Sequence, residues 1–244
     1  MSKLAKAMLG LIAAALVNGQ GYAQDNRDLR LPQVDDLPLI EVPATSKSST
    51  LAVVVTGDGG WASIDQQIGE TLSNNGISVV GLNSMKYFWD KKSPEIAAVD
   101  LTRILSHYSL AWGASKFILI GYSRGADTLP FMVSRLPAIL RADVAAIALL
   151  GLAAEVDFEF HAGSLLLNSE RGDYKTIPEV KKLEGMNMLC IYGSDDDASA
   201  CARLPQGLAR IVEMDGGHHF DGDYKKLASI ILDHYLQTSI PGKF

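Results

Sequence analysis

The chain alternates between short unbroken apolar runs and longer segments whose apolar residues recur at helical spacing. The runs are "LAVVVT" from Leu51, "ISVVGLN" from Ile77, "KFILIG" from Lys116, "VAAIALLG" from Val144, "MLCIYG" from Met188 and "ARIVEM" from Ala209. Such runs, bounded by turn-forming or charged residues, read as strands buried on both faces. Between them, residues 64–75 read as a helix that Gly76 ends, because glycine takes the left-handed backbone of a helix stop without strain. Residues 93 to about 108 read as a second helix, opened by Ser-Pro-Glu, with Ala97, Leu101, Ile104, Leu105 and Tyr108 on one face. A third helix begins at Arg124, and residues 224–236 form a closing one. "LPLIEV", ending at Val42, is a candidate edge strand. Strands alternating with helices indicate an α/β fold: a mainly parallel sheet covered by helices on both faces. Residues 155–175 break the rhythm after a strand end, where a parallel sheet carries its substrate-shaping loops.

The beginning of the chain differs from the rest. Lys3 and Lys6 precede the apolar run "AMLGLIAAALV", which is too short to span a bilayer, and "GYA" offers small residues before a cut after Ala23. Residues 1–23 therefore read as a secretory signal peptide, rather than as a membrane anchor or a buried helix. Residues 24–50 read as a polar lead-in and residues 51–240 as one domain, since 244 residues at 48% hydrophobic suffice for one substantial core. No later segment is long and apolar enough to cross a membrane, so no transmembrane span is expected in the mature chain. Removing two lysines and no acid shifts the net charge from −6 to −8. That balance argues against nucleic acid as a partner, because phosphate binding needs a basic face. In an oxidising compartment Cys190 and Cys201 are expected to pair, in preference to remaining two separate thiols.

The candidate chemistry centres on "GYSRG". A Gly-x-Ser-x-Gly pattern is weak alone, but this one follows a strand and precedes a helix, the context of a strained turn that presents a serine. Gly121 and Gly125 would let strand and helix approach, and Ser123 would sit at the helix N-terminus. A serine hydroxyl needs a base, and the base needs an orienting carboxylate. Both follow at strand ends, in the order serine, acid, histidine. "GSDDD" supplies Asp196, with Asp197 as runner-up, and "GGHHF" supplies His218, with His219 as runner-up and Phe220 packing beneath. His107 and His234 fall inside helices, and His161 lies in the excursion where it is a candidate lining residue.

An oxyanion needs two backbone donors. Arg124, next after the serine, offers one. The Gly-rich "TGDGGWAS" loop offers the other, expected at Gly60 or Trp61. No Gly-Lys-Ser/Thr follows that loop and no Gly-x-Gly-x-x-Gly occurs, so no nucleotide cofactor is expected. The run from His218 to Asp223 lacks an evident set of further ligands, so no metal is expected either.

With those residues in place, the chain resembles the VirJ/AcvB family of exported bacterial proteins. The resemblance rests on "TGDGGW", "GLNSMKYFWDKKSPE", "GYSRGAD" and "GGHHFDGDY" and spans about residues 50–240. It implies an α/β-hydrolase fold in the periplasm. It also implies one of two roles: hydrolysis of aminoacylated, chiefly lysyl, phosphatidylglycerol, or a part in type IV secretion and virulence with secretion-system proteins as partners. The second role is open to an adaptor that does not depend on catalysis. For a lysyl ester, Asp58, Asp221 and Asp223 are candidate holders of the amines, within an acidic set that includes Asp127, Asp195 and Asp215. Arg124 or Lys86 is a candidate for the phosphate of the phospholipid head group. Tyr87, Phe88 and Trp89 are core residues or lipid contacts.

Overall fold

The computed structural model describes residues 31–46, 48–160 and 172–238. The six apolar runs form six parallel strands: β2 (Thr50–Val55), β3 (Ser78–Leu82), β4 (Lys116–Tyr122), β5 (Val144–Leu150), β8 (Met188–Gly193) and β9 (Arg210–Met214). β1 (Leu39–Val42) adds an antiparallel edge strand beside β3, as "LPLIEV" suggested. The sheet order is β1-β3-β2-β4-β5-β8-β9. β6 (Glu155–Val156) and β7 (Tyr174–Lys175) make a separate two-stranded ribbon at the ends of the excursion. The helices are α1 (Ser63–Asn74), α2 (Ser84–Tyr87), α3 (Pro94–Trp112), α4 (Arg124–Ser134), α5 (Ala138–Ala142), α6 (Thr176–Lys181) and α7 (Tyr224–Thr238).

The strands are apolar at every position because both faces are covered. Leu51, Val53 and Val55 of β2 point to one side, with Leu101, Ile104 and Leu105 of α3 and Leu129, Met132 and Val133 of α4. Ala52 and Val54 point to the other, with Ile64, Ile68 and Leu72 of α1 and Leu227, Ala228 and Ile231 of α7. This period of two inside an unbroken apolar run is the pleat of a strand between two helical layers. Each fully buried Leu, Ile or Val contributes about 1.5–3 kcal/mol.

α3 starts as expected: the Ser93 side chain accepts from the Ile96 amide and Pro94 occupies the first turn. It runs to Trp112, beyond the expected end near Tyr108, because nothing breaks the helix before Gly113 takes a left-handed backbone at φ 72°. α2, α5, α6 and the ribbon were not expected, being too short for periodicity to declare them. Among the described residues no helix is long and apolar enough to cross a membrane. Residues 1–23, the expected signal peptide, lie outside the described residues.

After β2 the chain crosses to β3 on one side, and β4 returns to the other side of β2. The strand order reverses there, and the carboxyl ends of β2 and β4 are where a sheet of this kind carries its site. The pairing Val55↔Gly121 brings the loop after β2 next to the turn after β4.

Candidate active site

Ser123 stands between β4 and α4 with φ 53° and ψ −122°, a conformation that costs an L-residue energy. The surroundings enforce it. The Ser123 amide donates to the Leu150 carbonyl at 2.9 Å, and the Asp127 amide donates back to the Ser123 carbonyl at 3.0 Å. A Cβ on Gly121 would fall 2.4 Å from the Gly125 carbonyl oxygen, so the helix start lies directly over the strand end. Both flanking glycines thus serve the close approach expected of them.

The acid and histidine loops are stitched together by backbone bonds. The Ser194 amide donates to Met214 at 2.7 Å and the Asp195 amide to Gly216 at 2.9 Å. A Cβ on Gly193 would meet the Gly217 carbonyl oxygen at 2.2 Å. In this arrangement Asp196 Oδ2 lies 2.7 Å from His218 Nδ1, and His218 Nε2 lies 2.9 Å from Ser123 Oγ. Three residues from three loops form one hydrogen-bonded series. The Asp196 side chain is 8% exposed and that of His218 is 38% exposed. The carboxylate is thus sheltered while the imidazole is partly exposed. Such a series can carry a proton from the hydroxyl to the imidazole and stabilise the imidazolium formed.

The runner-up positions face elsewhere. Asp197 is exposed. His219 is exposed, and its Nδ1 lies 2.8 Å from the Tyr122 hydroxyl. Tyr122 also donates to the His218 carbonyl at 3.3 Å, so it supports the histidine loop from below. Burial pushes the Tyr122 hydroxyl well above its usual range, which keeps it a donor. Phe220 is fully buried beneath the loop, as expected.

Several comparisons bear on this geometry. The sequence matches the family described as bacterial virulence protein (VirJ) over residues 49–239, most of the chain. The chain belongs to the VirJ family. No curated protein matches the sequence significantly. Among solved structures, the VirJ-family chain is similar to Est1E from Butyrivibrio proteoclasticus, with TM-score 0.58, 12% identity, and 84% of this chain and 96% of that one covered. It is also similar to the proline iminopeptidase of Mycobacterium smegmatis, with TM-score 0.53, 12% identity and coverage of 82% and 95%. MenH from S. aureus gives TM-score 0.58, 12% identity and coverage of 83% and 99%. At such identities the likeness establishes the fold, which is that of the α/β-hydrolases.

Of the two residues of this VirJ-family chain expected to supply the second oxyanion donor, one has its amide engaged within the loop. The Gly60 amide closes a turn onto the Gly57 carbonyl at 3.1 Å. The Trp61 ring packs against Gly81 and Gly69. Gly57 is the residue that touches the site: a Cβ there would lie 3.1 Å from Ser123 Cβ. Asp58, which follows Gly57, and Arg124, which follows Ser123, are thereby brought together beside the serine. The Gly-rich loop marked the region, but pattern alone did not say which amide the turn would consume.

The three expected substrate carboxylates differ in their surroundings. Asp58 forms a two-point ion pair with Arg124, through Nε and, at 3.1 Å, through Nη2. Arg124 Nη1 donates to the carbonyls of Asp157 at 2.7 Å and Glu159 at 3.1 Å. Neither Asp58 nor the Arg124 guanidinium is thus free for a ligand. Asp221, with φ 48°, is exposed and lies beside Gly216 in the histidine loop. Asp223 accepts from the Lys226 amide and caps α7. Asp215 is exposed, 3.9 Å from Lys226. Lys86 is exposed on α2.

Asp127 is buried, accepts from the Ala153 amide at 2.6 Å, and is pushed up to about 8 by burial. Tyr87 and Phe88 are core residues, whereas Trp89 is exposed and stacks on Phe160. His107 bonds the Pro32 carbonyl at 2.7 Å and His234 is buried in α7. His161 lies outside the described residues.

One further feature of the site went unrecognised in the sequence. Gly151, with φ 66°, leaves room for the His218 ring, since a Cβ there would lie 2.7 Å from its Cε1. The expected disulfide is formed between Cys190 and Cys201, and the loop it closes contains Asp196. A cavity of about 430 Å³, lined by Ala153, Ala154, Glu155, Asp197, Ala198 and Arg203, opens beside that loop.

Proposed function

We propose that this VirJ-family protein is a serine hydrolase of carboxylic esters. The observation that carries the reading is the series Ser123 Oγ to His218 Nε2 at 2.9 Å and His218 Nδ1 to Asp196 Oδ2 at 2.7 Å. Ser123 attacks the ester carbonyl while His218 takes its proton, and Asp196 holds the imidazole tautomer. The amides of Asp58 and Arg124 receive the oxyanion at the positive end of α4. The intermediate collapses, and His218 protonates the departing alcohol. Water, deprotonated by His218, then releases the acid from the acyl-serine.

The substrate reading is the aminoacyl, chiefly lysyl, ester of aminoacyl-phosphatidylglycerol, hydrolysed in the periplasm. The family membership and the export signal read from residues 1–23 support it. The test compares purified mature protein on lysyl-phosphatidylglycerol, alanyl-phosphatidylglycerol and an aryl ester, with Ser123→Ala as control. Release of lysine that Ser123→Ala abolishes supports the reading. Cleavage of the aryl ester alone rejects the lipid substrate. No hydrolysis of any ester, with secretion phenotypes intact in Ser123→Ala, favours a non-catalytic adaptor.

A further inference from the structure

Gly57 approaches Ser123, and the residues that follow these two, Asp58 and Arg124, hold each other through their side chains. The loop carrying Asp58 has Gly57, Gly59 and Gly60 around it, a composition that leaves its backbone free to take many conformations. An oxyanion hole needs the opposite, donors fixed before charge develops. Backbone bonds hold the outer parts of the loop: the Thr56 amide donates to Leu82, and the Gly60 amide to Gly57. Between them, Asp58 is held by its carboxylate on the Arg124 guanidinium. That pair is mostly buried, with side chains 10% and 25% exposed, so water screens it little.

We propose that the Asp58–Arg124 pair is a clamp that sets the spacing of the two oxyanion-binding amides, which makes both side chains positioning residues for the reaction. This rests on the hydrolase reading above. The fork geometry matters: two parallel bonds fix orientation as well as distance, which a single ammonium would not do. Mutual neutralisation keeps a full positive charge from the serine, so the amides carry the stabilisation. The remaining Arg124 donors reach Asp157 and Glu159, so the same group also fastens the start of the excursion to the site. One side chain thereby couples the oxyanion loop, the serine turn and the rim.

The experiment uses the mature protein and an aryl ester. Asp58→Asn keeps shape and an acceptor oxygen while removing the charge; Arg124→Gln removes the fork; the double variant completes a cycle. Each single variant should lower kcat by about 10- to 100-fold, short of the 100- to 1,000-fold typical of losing a donor outright, with KM within about twofold. The double variant should be no worse than the poorer single, because both break one contact. Affinity for an alkyl boronic acid, whose serine adduct places an oxygen in the hole, should fall in step with kcat. Thermal melts report the folded fraction.

Wild-type kcat and boronate affinity in folded Asp58→Asn and Arg124→Gln would overturn the clamp. So would losses that match the unfolded fraction alone. If the wild type cleaves no ester and Ser123 takes no fluorophosphonate label, the hydrolase reading falls, and the clamp with it. If the wild type is active, Ser123→Ala is dead and both clamp variants keep full kcat, the clamp alone fails.

Discussion

A Cβ built on Gly125 would lie 1.9 Å from the carbonyl oxygen of Val55. The first turn of α4 therefore rests against the end of β2, and that contact is what aims Ser123 at the loop after β2. Gly125→Ala must push the two elements apart, and overpacking of this kind costs about 3 kcal/mol or more. Its melting temperature should fall by roughly 6 to 12 °C. Gly59→Ala, whose added methyl meets nothing within 4 Å, should melt like the wild type. Equal melting of Gly125→Ala and wild type would contradict the packing.

The choice of carboxylate is measurable. Asp196 bonds the imidazole, whereas Asp197 is exposed. Asp196→Asn should lower kcat on an aryl ester by about four orders of magnitude, the loss typical when the orienting acid of such a series becomes an amide. Asp197→Asn should stay within severalfold of wild type. A reversed ranking would move the acid to Asp197.

The Cys190–Cys201 disulfide closes the loop that carries Asp196. Closing a short loop contributes about 2–4 kcal/mol. The double Cys→Ala variant should therefore melt roughly 5 to 15 °C lower. Because Asp196 is inside the loop, kcat should drop more than KM rises at temperatures where the variant is folded. Steady-state kinetics beside thermal melts checks this, and unchanged kcat would limit the bond to stability.

Asp127 is pushed up to about 8 by burial, from an ordinary value of 3.8, and Asp65 to about 6, also by burial. For such groups the folded state holds its proton more tightly than the unfolded chain does. Their contribution is full below about pH 4 and is lost as pH rises through 6 and then 8. Asp127→Asn keeps an acceptor for the Ala153 amide and has no proton to lose. Relative to wild type it should gain stability steadily from pH 5 to pH 8. Parallel melting curves across that interval would show that Asp127 does not titrate between the two states.

The order of strands and helices was legible because its cause is local. Burial between two helical layers demands unbroken apolar runs, and helices one layer deep demand an apolar stripe. The extent of α3 was misjudged by four residues, since its end depends on Gly113. Ser123, Asp196 and His218 were also legible, because a strained turn needs glycines at fixed offsets and the fold brings its strand ends to one rim. What the sequence could not decide was which polar atoms would be spent on the protein itself. Asp58 read as a free acid but is paired with Arg124, whereas Asp221 and Asp223 stay exposed. Gly60 read as a donor, but its amide closes a turn. Composition records that such groups exist; only the folded chain, which must satisfy its buried and half-buried polar groups from within, assigns each a partner and leaves the remainder for chemistry.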